Sequence, residues 1–322
     1  MRAAYVKAAN PADPLAALVV GELPEPEVPD GWTRVRVRAA SLNHHDLWSL
    51  RGVGLPPERM PMILGTDAAG TTDEGREVIV HAVISSPDWS GDETLDPKRT
   101  LLSELHQGTL ADYVVVPNAN LIEKPANLSF EDAACLPTSW LTAYRMLTRN
   151  GLAPGDTILI QGASGGVASA AIQLGRQLGL RVWATARTEA KRAFALELGA
   201  DAAFEAGARL PQRVDAVIET VGEATWSHSL KALKPGGTIV VCGATSGYNP
   251  PAELNRVFFL QLRVHGSTMG TREELAQLAE LVAATGLKPR IDRALPLAEV
   301  ASGLAALDAG AVLGKVMVSA GG

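Results

Sequence analysis

Cysteine is nearly absent: Cys135 and Cys242 are the only two in 322 residues. That excludes a disulfide framework and any structural zinc site built of thiolates, and both side chains read as small buried hydrophobes. Positive charge is not in surplus: 29 Lys and Arg stand against 35 Asp and Glu, a formal net charge of -6. Binding nucleic acid or an anionic membrane surface needs clustered cations, so neither partner is expected. No apolar run approaches the roughly 20 residues of a membrane span, and the opening MRAAYVKAANPADP has charge but no apolar h-region. The expectation is a cytosolic protein whose partner is a small molecule.

What is present is ample material for burial. Hydrophobic residues make up 47% of the chain, and this length exceeds one ordinary core, so two domains are expected. The first third reads as mainly strands and turns. TRVRVRAASLN (33–43) alternates, with Val35 and Val37 on one face and arginines on a solvated one. GREVIVHAVI (75–84) and ADYVVVP (111–117) read as further strands, and the polar, turn-rich stretch 85–108 between them as a long surface excursion.

From about residue 129 the rhythm changes. DTILIQG (156–162), LRVWATA (180–186), VDAVIET (214–220), GGTIVVCGA (236–244) and LRVHGS (262–267) read as strands separated by helical segments. The first such segment, 167–179, carries Val167, Ala171, Leu174 and Leu178 at helical spacing; the second spans 188–199. Strands alternating with helices mean βαβ units and a parallel sheet. Beyond them, Thr271 and Glu274 form a capping box for another helix, and GKVMVS (314–319) reads as a last strand.

Between the first of these strands and its helix lies GASGGVA (162–168), with small residues at Ala163, Gly165 and Ala168. Small residues let backbone approach a pyrophosphate, and a helix N-terminus supplies N–H donors and positive dipole. At the end of the next strand, where NAD sites hold an acidic residue for the ribose, the chain reads Ala186, Arg187, Thr188, with Lys191 and Arg192 one turn on. A guanidinium there attracts a 2′-phosphate, so NADPH is the expected cofactor.

LNHHDLW (42–48) raises the question of a metal, because histidine is a common ligand. Read as extended chain, His44 and His45 point to opposite faces and do not chelate one ion.

Together with PMILGTDAAG, the stretch from GTLADYVVVP to TSWLTAYRML, LELGAD, LKPGGTIVVCGATSG and LGKVMV, these segments resemble, over essentially the whole chain, the medium-chain dehydrogenase/reductase superfamily. The likeness is to its zinc-free, quinone-oxidoreductase-like branch. It implies an α/β chain with a GroES-like mainly-β catalytic domain (1–125 and 266–322) and a Rossmann domain with a doubly wound parallel sheet (126–265). Where zinc members carry their ligands, this chain has Asn43, Thr66 and approximately Thr138; amide and hydroxyl groups are poor zinc ligands.

The resemblance also implies roles. His44 falls where relatives hold a polar side chain near the cofactor pyrophosphate, and His45 where a hydroxyl relays protons; His45 either donates a proton to substrate or only bonds backbone. Asp46 is expected to orient a neighbour, and Trp48 is either a substrate-pocket wall or plain core. Thr142, Ala163, Ser164, Gly165, Gly166, Val167, Arg187, Thr188, Lys191, Thr220, Gly243, Ala244, Ser267, Thr268 and Lys315 are the implied cofactor contacts, though Gly243 reads equally as a strand-end turn. Without a Lewis acid, the acceptor must spread developing charge itself, as quinones, enones and enals do, with Asn43 and a bound water or His45 as hydrogen-bond donors. The expected activity is therefore NADPH-dependent hydride transfer to a quinone or activated C=C bond. The alternatives are an NADPH-binding sensor without turnover and a zinc-independent alcohol dehydrogenase. A homodimer is expected through the strand edge near 262–268.

Overall fold

Alternation and βαβ rhythm produce two different architectures in the computed structural model, which describes residues 1–320. One compact unit is Met1–Leu141 together with the C-terminal segment from Met269; the other is Thr142–Thr268. Residues 126–141 thus pack with the first unit.

The first unit is mainly β. Its largest sheet runs, neighbour by neighbour, through Leu121–Glu123, Glu77–Val80, Ala68–Thr72, Trp32–Ser41, Lys315–Ser319 and Ile291–Pro296, with Tyr113–Pro117 also paired to Trp32–Ser41. Val35 and Val37 are buried while Arg36 and Arg38 are exposed, as the alternation requires. The expected single strand over 75–84 is two, Glu77–Val80 and Val83–Ile84, because the chain breaks at His81, whose Nε2 is bonded to Gly270 O at 2.9 Å. The pairing that sets Met317 opposite Ser41 brings the start of the C-terminal strand beside Leu42.

The second unit is a parallel sheet. Counting its six strands along the chain, the spatial order is 3-2-1-4-5-6, the order of dinucleotide-binding folds. Leu159, Trp183, Val217, Leu230 and Ile239 belong to one buried core there. The strands Thr157–Gln161, Arg181–Ala186, Val214–Glu219 and Arg263–Gly266 lie where the pattern put them, and Ala202–Glu205 is an additional one that periodicity missed. No helix among the described residues is long and apolar enough to cross a membrane.

Candidate active site

In the mainly-β unit the chemistry gathers around the helix His44–Leu50. The extended reading of LNHHDLW is corrected here. The Asp46 carboxylate accepts the Asn43 N–H at 2.8 Å, which starts a helix directly after Asn43. His44 therefore lies exposed and His45 half-buried, about 100° apart around the axis as successive helical residues are. Asp46 also accepts Gly65 N–H at 2.9 Å, so it ties the 65–67 turn to the helix. Burial pushes its carboxyl up to about 6.

Beneath the helix lies a buried polar network centred on Asp67, whose Oδ1 has no hydrogen-bond partner. Asp67 Oδ2 accepts Ser41 Oγ at 2.6 Å, Asn43 Nδ2 at 2.8 Å and Lys315 Nζ at 3.1 Å. Lys315 Nζ also donates to Asn43 Oδ1 at 2.7 Å and Leu42 O at 2.9 Å. Lysine has three donor hydrogens, and three acceptors take them. The two side chains are 2% and 0% exposed. Two expectations change accordingly. Lys315 is committed to the interior rather than held ready for a cofactor phosphate. Asn43 is engaged through both ends of its amide, so it orders the site instead of offering a free donor.

The three positions expected to replace zinc ligands do converge: Asn43 Nδ2 lies 3.4 Å from Thr66 Oγ1, which is 2.9 Å from Thr138 Oγ1. The donor set does not fit a zinc ion. It offers one amide and two hydroxyls, and a buried ammonium already occupies Asn43 Oδ1, where it would repel a second cation. Among the described residues, no group of three or more His, Cys, Asp or Glu side chains is placed to hold a metal. Burial pushes both thiols, Cys135 and Cys242, up to about 12, which keeps them neutral.

His45, on this helix, carries a buried ring nitrogen that has no hydrogen-bond partner. That atom is Nδ1, while Nε2 is 3.0 Å from Glu104 Oε1. Glu104 was missed because it falls within 85–108, expected to be a surface excursion. That stretch instead contains a short strand, Thr100–Leu101, paired with Val83–Ile84, and buried Leu102 and Ser103. Trp48 is half-buried with the Arg51 guanidinium stacked 5.0 Å from its ring centre, which leaves both of its readings standing.

In the parallel-sheet unit, the implied cofactor residues collect at the C-terminal ends of the strands. Helix Gly166–Gln177 opens with Gly165 as its N-cap, so the N–H groups of Gly166, Val167 and Ala168 are the unpaired first-turn donors. Gly165 has an ordinary φ of -73°, and a Cβ placed on it meets no atom within 4 Å. Neither backbone conformation nor internal packing demands glycine there, which leaves the backbone open to the close approach of a ligand. Ala163 is buried and Ser164 half-buried beside it. Thr220 Oγ1 donates to Gln161 O at 3.2 Å, and a Cβ on Gly243 would lie 3.2 Å from Thr220 O, which draws those two loops together. The adjoining Ala244 CO accepts Gly247 N–H at 3.1 Å.

Arg187 is exposed just past the strand Arg181–Ala186. The Lys191 ammonium is disfavoured by burial and by the Arg187 charge, so two cations face one region. Thr188 is the helix N-cap, accepting Lys191 N–H at 3.3 Å; its hydroxyl is at work in the fold. Thr142 is buried, Thr268 exposed, and Ser267 half-buried with its Oγ unpartnered.

Comparison with known proteins gives a consistent setting. Residues 29–126 match the alcohol dehydrogenase GroES-like domain, and residues 166–284 match the zinc-binding dehydrogenase domain. The crotonyl-CoA reductase of Streptomyces collinus is 30% identical over 92% of this chain and 79% of its own. A solved NAD-dependent alcohol dehydrogenase is 36% identical with a TM-score of 0.92, each chain covered completely. The structure of a 2-octenoyl-CoA carboxylase reductase in complex with NADP and 2-octenoyl-CoA is 26% identical with a TM-score of 0.90, covering 99% of this chain and 87% of that one.

Proposed function

The chain belongs to the medium-chain dehydrogenase/reductase superfamily, and we propose that it is a zinc-independent, NADPH-dependent reductase of an activated C=C bond or a quinone. The observation that carries this reading is the ammonium of Lys315 bonded into the Asn43–Asp67 network: with that donor set, no protein-held Lewis acid takes up charge on a substrate oxygen, so the acceptor must delocalise it.

The cofactor fits through the open approach at Gly165 and the paired cations Arg187 and Lys191. Bound there, NADPH supplies the hydride. The chain's own part is to hold the diphosphate on the N–H groups of Gly166 and Val167, to select the 2′-phosphate, and to deliver a proton from His45. Between the two acceptor classes, the kinship with a crotonyl-CoA reductase favours the conjugated alkene, with enoyl thioesters first in line.

A second reading is supported by the likeness to a solved NAD-dependent alcohol dehydrogenase: oxidation of an alcohol with NAD. One steady-state survey separates the two. NADPH and NADH are each assayed against crotonyl-CoA, an enal and 1,4-benzoquinone, and NAD and NADP against a secondary alcohol. Turnover of the thioester, enal or quinone with NADPH preferred supports our proposal; turnover of the alcohol alone overturns it. Tight NADPH binding without any turnover would instead mean a sensor. A homodimer through the edge strand Arg263–Gly266 is part of the proposal, since Val264 (47%) and neighbouring Phe259 (78%) are exposed large apolar side chains.

A further inference from the structure

We infer that Glu104 is a positioning residue: it holds the His45 ring with the proton on Nε2 and so makes Nδ1 the nitrogen that exchanges a proton with substrate. This rests on the proposed reductase reading for its consequence, though not for its geometry.

An ionised carboxylate is acceptor-only, so at 3.0 Å from Glu104 Oε1 the His45 Nε2 must carry hydrogen. The other ring nitrogen, Nδ1, is buried with no protein partner, and an orphaned buried polar group is costly unless something pairs with it in use. The pair is no accident of two long surface chains meeting. His45 and Glu104 are 21% and 24% exposed, and three features shape the carboxylate's position: two fix the turn that carries it and one leaves it room.

The first is the backbone that carries it. Ser103 sits at φ 69° and is fully buried, a conformation that non-glycine residues keep only where surroundings enforce it. Ser103 N–H donates to His106 O at 2.8 Å and Glu104 N–H to Leu101 O at 3.3 Å, closing a tight turn that projects Glu104.

The second is Ser49, whose Oγ donates to Ser103 O at 3.4 Å. Ser49 stands four residues after His45, on the same helix face, so one face of one helix holds both the histidine and the turn bearing its partner. The third is Gly54, at φ +73°, where a Cβ would come within 3.0 Å of Glu104 Oε1. The chain leaves a side chain out where the carboxylate passes.

In the reaction, hydride from NADPH and the proton on His45 Nδ1 together reduce the acceptor by two electrons. His45 is left neutral with hydrogen on Nε2, still bonded to Glu104, and is reprotonated before the next turnover. The sum is acceptor, NADPH and one proton giving reduced acceptor and NADP⁺. Glu104 touches no reacting atom; it sets which nitrogen acts.

The test has two arms on the full-length chain. Ring 15N NMR, with the His45 signals assigned by their loss in His45→Gln, reads the tautomer with no substrate present. We expect the Nε2–H form in the wild type and in Glu104→Gln, whose amide oxygen still accepts, and a mixture in Glu104→Ala. The kinetic arm uses the best acceptor of the survey above. Glu104→Ala should lower kcat roughly tenfold or more, as loss of support for an acid–base group does, with KM for acceptor and for NADPH within about twofold; Glu104→Gln should fall between. A wild-type ring protonated on Nδ1 alone, or an unchanged tautomer and unchanged kcat in Glu104→Ala, overturns the inference. If Glu104→Ala does not fold, Glu104→Gln decides the kinetics: an unchanged kcat overturns. If no acceptor is turned over, the reductase reading falls while the NMR arm still judges the tautomer.

Discussion

Two parts of this molecule use positive charge in opposite ways. In the mainly-β unit, Lys315 is buried and its hydrogens are divided among Leu42, Asn43 and Asp67. In the parallel-sheet unit, Arg187 stands exposed beside half-buried Lys191, and burial and the Arg187 charge disfavour the Lys191 ammonium. A cation whose partners are all internal serves the fold; the exposed Arg187 beside Lys191 is, in our proposal, there for a ligand that is not part of the chain. The difference teaches where substitution should unfold the protein and where it should only empty a site.

The sharpest way to break the comparison is Lys315→Met. It leaves the Asp67 carboxylate buried without its counter-charge, and removing one partner of a buried pair costs about 3–5 kcal/mol. Chemical denaturation should show that loss, and adding Asp67→Asn to Lys315→Met should recover much of it, because the uncompensated charge goes too. A Lys315→Met protein as stable as the wild type would put Lys315 in the same class as Arg187.

Asp46, in the same interior, gives a smaller effect with a definite sign. Burial raises its carboxyl from 3.8 to about 6, so the folded state holds this proton more tightly than the unfolded chain. The stability that this contributes is fully present below about pH 4 and is lost as pH rises through about 6, amounting to up to ~3 kcal/mol. Other carboxyls titrate too, so the quantity to measure is the stability difference between wild type and Asp46→Asn at pH 4.5 and pH 7. It should favour the wild type more at the lower pH.

The same contrast explains what could be read in advance. The nucleotide loop was legible because its requirements are local: a strand, small residues at Ala163, Gly165 and Ala168, and a helix, all inside one short stretch. The parallel sheet followed from the βαβ rhythm, whereas its strand order, and the strand Ala202–Glu205, came only with the structure. The other site was legible only in outline. Asn43, Thr66 and Thr138 were marked by resemblance, but what they do depends on Lys315, whose Nζ reaches a residue 272 positions earlier in the chain. No periodicity carries such a contact. The helix at His44 was mistaken for extended chain because LNHHDLW directly follows an alternating strand, and its cap, Asn43 with Asp46, was not recognised as a helix start. Glu104 was hidden by the polarity of its surroundings: a stretch rich in Asp, Ser, Gly and Pro looks solvated, although Leu102 and Ser103, both fully buried, tie its end to the core.

On the open side, Gly165→Val is the stronger test. A φ of -73° and the absence of any atom within 4 Å of the added Cβ mean the fold should tolerate it, with stability changed by about 0.5 kcal/mol or less. NADPH titration should nevertheless show affinity weakened by roughly tenfold or more, because the side chain stands where phosphate oxygens need bare backbone. Were the affinity unchanged, Gly165 would be glycine for no reason found in this structure.

The mildest effect, and the most selective, is expected from Arg187→Ser. Exposure makes it neutral for stability, within about 0.5 kcal/mol. A surface guanidinium facing a 2′-phosphate contributes of order 1–2 kcal/mol, so the KM for NADPH should rise about tenfold while that for NADH stays level. Lys191 remains and keeps part of the attraction, which is why the loss should be partial and why adding Lys191→Ser should deepen it. Salt sharpens the distinction further. Raising ionic strength screens an exposed cation and leaves a buried one nearly untouched, so NADPH affinity should fall with salt in the wild type, less steeply in Arg187→Ser, while the stability held by Lys315 and Asp67 barely moves. Equal salt dependence in wild type and Arg187→Ser would mean that the exposed pair does not face the phosphate, and the division between closed and open cations would lose its functional half.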